Sequence, residues 1–82
     1  MLYAIKHPHL PLIKVGFSAD VSKRMTQYAT HGMWVKPFRI TRGGRQEEMR
    51  VHALLQTRRC KGEWFRCSKE AVNLALDSVQ IK

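Results

Sequence analysis

The sequence has little cysteine and no long apolar run. Cys60 and Cys67 are too few for a disulfide framework. Six residues separate them, whereas zinc knuckles have two to four, so we expect two inert thiols rather than a metal site. No apolar stretch approaches membrane-spanning length, and no basic segment followed by an apolar run opens the chain. These absences predict a soluble cytoplasmic protein without a membrane partner.

Acidic residues are also scarce. The 82 residues include 15 Lys and Arg against 6 Asp and Glu, which gives a formal net charge of +9. The basic residues are spread along the chain, so they do not form a detachable tail. A compact basic domain most often binds a polyanion, and nucleic acid is the leading candidate; a merely basic protein is the alternative. The length predicts one small domain, residues 1–82.

Apolar and β-branched runs predict three strands. The first covers residues 1–5, the second residues 12–17 and the third residues 33–41. Two prolines within residues 7–11 predict a short loop, and so short a connection favours an antiparallel hairpin. Pro37 predicts an edge or a bulge in the third strand, because proline cannot donate to the hydrogen-bond ladder.

Helical periodicity predicts three helices. The first should run from about Ala19 to Thr30, capped by Ser18 or Asp20 and ended by Gly32. The second should follow a glycine-rich turn at residues 42–45 and extend to Arg58.

Ser68 is the expected N-cap of the third helix. The resulting order is strand, strand, helix, strand, helix, helix. It predicts an α+β domain in which a small three-stranded antiparallel sheet is flanked by helices.

Two of these helices carry a charge on the side that should face the sheet. Arg24 lies between Val21 and Tyr28 on the apolar side of the first helix. Glu48 borders the apolar stripe of the second helix, with His52 one turn later. Arg24 and Glu48 could form a partly buried ion pair, or they could converge on one functional site. Because such a pair adds little net stability, a small domain has weak reason to keep it without a function.

The ordered motifs resemble the GIY-YIG nuclease superfamily, in the phage-type branch that carries Lys-Ile/Val-Gly in place of Tyr-Ile-Gly. The residues that match are Met1-Leu-Tyr3, Lys14-Val-Gly16, Arg24, Glu48-x-x-x-His52 and Gly62-Glu-Trp-Phe65. The resemblance covers roughly residues 1–70. It implies a GIY-YIG-like fold and a bacterial or phage-infected host cell.

The resemblance also implies a metal-dependent endonuclease that acts on DNA. Glu48 would hold a single Mg²⁺ (or Mn²⁺), and Arg24 would bind the scissile phosphate. Tyr3 would be the general base, with its pKa lowered by Lys14 on the adjoining strand. Tyr28 matches a position near the attacking water.

Each of these residues also has a structural interpretation. Tyr3 could be a core residue with its hydroxyl at the rim, and Lys14 could be the solvent-facing member of an alternating strand. His52 is expected behind the metal ligand or at the surface, not on the metal. Trp64 and Phe65 are expected to be core or staple residues that close the third helix.

Basic side chains should flank the site and contact the phosphate backbone. The seven candidates are Lys23, Arg39, Arg42, Arg45, Arg58, Arg59 and Lys61. Trp34 could stack on an unpaired base, but a core position is favoured. No segment is typical of a major-groove recognition helix, so low sequence specificity is expected.

The sequence departs from the family at three points. Met1 stands where relatives carry glycine, Lys14 stands where they carry tyrosine, and no asparagine follows Glu48 at the expected place. The prediction is an endonuclease that nicks one strand per site, active as a monomer or weak homodimer, with DNA favoured and RNA or branched DNA left open. The alternatives are a non-catalytic nucleic-acid-binding module with the same fold and a small phage protein-interaction domain.

Overall fold

The computed structural model describes residues 1–80, which form five β-strands and three α-helices. In chain order these are β1 (Leu2–Lys6), β2 (Ile13–Phe17), α1 (Val21–Thr30), β3 (Pro37–Thr41), α2 (Arg45–Leu54), β4 (Arg59–Lys61), β5 (Trp64–Phe65) and α3 (Lys69–Ser78). A 3₁₀ turn at Gln56–Arg58 joins α2 to β4. None of the helices in this part of the chain is long and apolar enough to cross a membrane.

The strands form one antiparallel sheet in the order β3-β1-β2-β5-β4. The predicted hairpin of the first two strands is confirmed, with Tyr3 opposite Gly16. Pro37 stands opposite Ile5, just after a register shift between Ala4 and Ile5. The proline therefore lies at an irregularity of the ladder, as its missing N–H predicts.

The prediction of only three strands is wrong. β5 extends the sheet from β2, with Phe65 opposite Ile13, and β4 pairs with β5. Gly62, at φ +57, takes the left-handed conformation that the turn between them requires. These strands have three and two residues, too few to show the alternation from which a strand is inferred.

The helix boundaries follow their caps. Asp20 is the N-cap of α1, and its carboxylate accepts the N–H of Lys23 at 3.0 Å. Gly32, at φ +84, follows the end of α1 as predicted. Ser68 caps α3 by accepting the N–H of Ala71 at 3.1 Å, which confirms that prediction. α2 ends at Leu54, four residues before the predicted end, because the chain tightens into the 3₁₀ turn.

The hydrophobic core lies on one face of the sheet, between the strands and the two later helices. Every second residue of the two central strands faces it, namely Leu2 and Ala4 of β1 and Ile13 and Val15 of β2. They pack against side chains of α2 and α3, namely Val51, Leu55, Val72, Ala75 and Leu76. Tyr3 therefore points to the opposite face, where α1 meets the sheet. The candidate site belongs to that second face.

Candidate active site

Two tyrosines join α1 to the sheet. Tyr3 is fully buried, and its hydroxyl lies 2.7 Å from the hydroxyl of Tyr28, which is only half-buried. Their rings meet edge to face, with centroids 6.4 Å apart. Tyr3 is thus a core residue by burial, yet its hydroxyl is hydrogen-bonded to the Tyr28 side chain, which is partly exposed to solvent.

Gly16 makes room for this arrangement. A Cβ added to Gly16 would lie 2.5 Å from the Tyr3 hydroxyl oxygen and 2.7 Å from the ring carbon that carries it. Real Cβ atoms do not approach that closely, and the buried Tyr3 ring has little room to move. The glycine of the Lys-x-Gly triplet is therefore required for the close approach of Tyr3.

Burial raises the pKa of the Tyr3 phenol well above its ordinary value of 10.0, and the hydrogen bond with Tyr28 adds to the rise. The positive charges of Lys14 and Arg24 act to lower this pKa, but they do not outweigh burial. Lys14 thus acts on the pKa of Tyr3 in the expected direction, but its effect is smaller than that of burial. Tyr3 is a neutral phenol at neutral pH.

Lys14 lies among aromatic rings rather than facing solvent. Its Nζ is 5.2 Å from the centroid of the Tyr28 ring and 5.8 Å from that of Trp64. It also lies 3.7 Å from a carboxylate oxygen of Glu63. Because Lys14 stands opposite Ile5, it is the diagonal neighbour of Tyr3 on the same face. The solvent-facing interpretation is wrong.

Arg24 is the second cation beside the phenols. Its slight burial acts to lower the pKa of the guanidinium, but the neighbouring Tyr3 and Tyr28 raise it overall. Within residues 1–80, Arg24 forms no ion pair. The structure therefore brings Tyr3, Lys14, Arg24 and Tyr28 together, a set called the phenol-cation cluster below.

Glu48 does not belong to this cluster. It is 5% exposed on α2, the helix that packs on the core face of the sheet. Its carboxylate lies 3.7 Å from the guanidinium of Arg45, so the expected alternative of an ion pair with Arg24 is wrong. Arg24 and Glu48 lie on opposite faces of the sheet rather than converging on one.

The two helices nevertheless begin at the same end of the sheet. Leu2 stands opposite both Phe17, the last residue of β2, and Thr41, the last residue of β3. α1 follows β2 and α2 follows β3. Arg24 and Glu48 each lie about one turn inside their helices and flank this end from its two sides.

The residues near Glu48 fit a magnesium ion only with substrate bound. Among the described residues, no group of three or more His, Cys, Asp or Glu could hold a metal. His52 binds the backbone instead, with Nε2 2.8 Å from the Val15 carbonyl oxygen. Mg²⁺ accepts a single carboxylate when water and phosphate oxygens complete its shell. Glu48 therefore fits as one protein ligand of a shell that water and substrate phosphate would complete.

Six of the seven predicted phosphate contacts are exposed, namely Lys23, Arg42, Arg45, Arg58, Arg59 and Lys61. Arg39 is different. Its guanidinium is half-buried, donates to the Asn73 carbonyl oxygen at 3.3 Å and pairs with the Asp77 carboxylate. It joins β3 to α3, and its local sequence gives no sign of a partner 38 residues away.

Trp64 is a residue that sequence reasoning assigned wrongly. Successive strand residues point to opposite faces, so Phe65 enters the core and Trp64 lies on the face of the phenol-cation cluster. It stands opposite Lys14, and its ring meets that of His7 at 5.3 Å. The sequence did contain a signal for this placement, because two adjacent residues of a strand cannot both point into the core.

Comparison with family models gave one match, a T5orf172 domain that covers residues 1–80. Comparison with curated proteins and with solved structures gave no match. T5orf172 is a phage-associated domain that is often linked to endonuclease and DNA-binding functions. Because the match spans nearly the whole sequence, the chain belongs to the T5orf172 domain family.

Proposed function

We propose that the chain is a metal-dependent DNA endonuclease of the GIY-YIG type, which nicks one strand per site with low sequence specificity. The observation that carries this proposal is the phenol-cation cluster, in which two cations and two hydroxyls share one surface. Membership of a family linked to nuclease and DNA-binding functions supports it.

Arg24 and Lys14 supply the groups that a phosphodiester requires. The planar guanidinium of Arg24 has no competing ion pair in the described structure, so it is free to donate two hydrogen bonds to phosphate oxygens. Lys14 adds a second positive charge beside Tyr3. Both charges would stabilise the negative charge that builds on the phosphate in the transition state.

The two phenols are better suited to hydrogen bonding than to proton removal. For Tyr3 to act as a base, the charges of Lys14 and Arg24 would have to outweigh its burial, which they do not in the free protein. We therefore assign the orientation of the attacking water to Tyr28, the more exposed of the pair. Tyr3 holds the Tyr28 hydroxyl in place.

Glu48 is the candidate ligand for Mg²⁺ or Mn²⁺. When bound, the ion would offset charge on the scissile phosphate and stabilise the leaving oxygen. Glu48 and Arg24 flank one end of the sheet, so a DNA backbone that crosses this end could reach Arg24 directly and Glu48 through the bound ion. Metal binding should therefore depend on DNA, which supplies phosphate oxygens.

A non-catalytic nucleic-acid-binding module is the second candidate. The separation of Glu48 from the phenol-cation cluster favours it, since the carboxylate has Arg45 as its charged neighbour rather than Arg24. Binding would need only the exposed cations and the cluster. Cutting would need Glu48 as well.

Nicking of supercoiled DNA in the presence of Mg²⁺ tests the two candidates. The wild type should convert the supercoiled form to the open circle, and Glu48→Gln and Arg24→Gln should each lower the rate by at least ~100-fold. Arg50→Gln is the matched control, because it removes an exposed charge of α2 outside the site.

The DNA affinity of each variant should be measured beside its nicking rate. A wild type that binds DNA with steep salt dependence but never cuts it would establish the binding module. A wild type that neither binds nor cuts would exclude both candidates.

A further inference from the structure

Trp34 is the most exposed large apolar side chain in the described part of the chain. It is 80% exposed, in the connection between α1 and β3, so the expectation of a core position is wrong. A tryptophan left in water forgoes a large hydrophobic gain, and tryptophan is enriched at interfaces, where a partner covers its ring.

Trp34 borders an open groove along α1. Met25 and Ala29 of α1 form one wall, while Val35 and Lys36 continue from Trp34 along the other. The groove has a volume of about 600 Å³. The apolar lining and the flat indole ring suit a planar group of a ligand. The ammonium group of Lys36 suits an anionic group of the same ligand.

The charge around the groove disfavours a basic partner. No carboxylate lines it, and α1 contains no acidic residue. Lys36 lies in the lining, and Lys23 is exposed on the same helix. A second copy of this chain would bring a formal charge of +9 against the same charge. A polynucleotide strand has the complementary charge and the planar base.

The groove adjoins the phenol-cation cluster. Met25 follows Arg24 in α1, and Ala29 follows Tyr28, so the two surfaces occupy neighbouring faces of one helix. α1 has ten residues and is therefore only ~15 Å long. A strand with one phosphate on Arg24 can place a nearby base on Trp34.

We propose that Trp34 and the α1 groove bind an unpaired nucleobase, so that the preferred substrate is DNA with unpaired nucleotides beside the bound phosphate. A base within a duplex is stacked and paired and cannot offer its face to a side chain, whereas a base in a single-stranded region can. That this DNA is a substrate rests on the proposed endonuclease function. That Trp34 binds an unpaired base does not depend on that function.

The two tryptophans of the chain allow a direct test by fluorescence. In Trp64→Phe the emission comes from Trp34 alone, and in Trp34→Phe it comes from Trp64 alone. Each variant is titrated, without metal, with a single-stranded oligonucleotide and with a duplex of the same length. We expect the single strand to quench Trp34 emission strongly and the duplex to leave it nearly unchanged, because only an unpaired base can stack on the indole.

Affinity gives the second measurement. Trp34→Ala should weaken binding of the single strand by roughly 5- to 100-fold, the usual effect of removing a stacked base partner. Because Trp34 is 80% exposed, its replacement should leave the thermal unfolding temperature unchanged.

Several results would overturn the proposal. They are unchanged Trp34 emission on binding of the single strand, equal quenching by the duplex, and full affinity in Trp34→Ala. Quenching that depends on protein concentration without DNA would assign the groove to a second copy of the chain.

The nicking assay tests the endonuclease and the quenching assay tests the base site, so either proposal can be rejected without the other. Nicking of plasmid DNA without Trp34 quenching would retain the endonuclease and reject the base site. Quenching without nicking would retain the base site and reject the endonuclease.

Discussion

Tyr3 occupies a position that opposes its own ionisation. Its ring is enclosed by the sheet and its hydroxyl lies against Gly16, so the phenolate would lose hydration that only Lys14 and Arg24 could replace. The folded state therefore holds the phenolic proton more tightly than the unfolded chain does. This contribution to stability is fully present below pH 10, the ordinary pKa, and is lost as the pH rises from there through the higher folded pKa.

We expect Tyr3→Phe to remove that pH dependence. The free energy of unfolding, measured with urea at several pH values from 9 to 11.5, should fall more steeply for the wild type than for the variant. The difference should approach ~1.4 kcal/mol per pH unit above pH 10. The variant keeps every other titratable group of the chain, so the difference between the two proteins reports the Tyr3 phenol together with its coupling to its neighbours. Parallel curves would show that Tyr3 ionises normally in the folded protein.

The resemblance to the GIY-YIG superfamily predicted all four members of the phenol-cation cluster as site residues, together with Glu48, which lies outside it. Tyr3, Lys14, Arg24 and Tyr28 share a face because strand alternation and helix periodicity are local rules. The same rules could not place Arg39, whose environment is set by Asp77 far along the chain. Local patterns show which way a side chain points, but not what it meets.

At the scale of elements, α1 is attached to the molecule more weakly than α3. It has no fully buried residue, whereas Val72, Ala75 and Leu76 of α3 are buried. Its links to the sheet include the hydroxyl pair, the ring contacts of Tyr28 and the interaction of Arg24 with Tyr3. The helix that carries Arg24 and Tyr28 therefore depends strongly on its N-cap.

Two cap variants test this difference. Asp20→Ala and Ser68→Ala each remove one side-chain hydrogen bond to a helix N–H and should each cost about 1 kcal/mol of local stability. In Asp20→Ala we expect the amides of α1 to exchange with solvent faster and DNA affinity to fall. In Ser68→Ala packing should hold α3, and DNA affinity should stay unchanged. Equal protection of both helices in hydrogen-exchange measurements would contradict the weak attachment of α1.

The limits of sequence reasoning also lie at this scale. The hairpin of β1 and β2 and the N-cap and end of α1 were predictable because each has its own local signal, such as alternation, a capping side chain or a terminal glycine. β5 exists through its pairing with β2, and β4 exists through its pairing with β5, rather than through a periodic pattern of their own residues. An element of two residues that exists only through its partner leaves no periodic trace.

At the scale of the whole molecule, the basic side chains are not equally available to bind DNA. Of its predicted phosphate contacts, six are exposed, while Arg39 is held between β3 and α3. Lys61 is exposed on β4 and stands opposite Trp64, in the same row across the sheet as Lys14. We therefore expect Lys61 to contact DNA and Arg39 to contribute to stability alone.

The salt dependence of duplex binding separates these roles. Each phosphate contact adds ~0.9 to the slope of log affinity against log salt concentration, because it releases condensed counterions. Lys61→Gln should lower this slope by about that amount and leave urea unfolding unchanged. Arg39→Gln should leave the slope unchanged and lower the free energy of unfolding by at most ~1 kcal/mol, since the Arg39 side chain is mostly buried but the Asp77 side chain is 62% exposed and screened by solvent. A lowered slope in Arg39→Gln would mean that the guanidinium leaves α3 to bind DNA, and an unchanged slope in Lys61→Gln would place the bound strand away from β4.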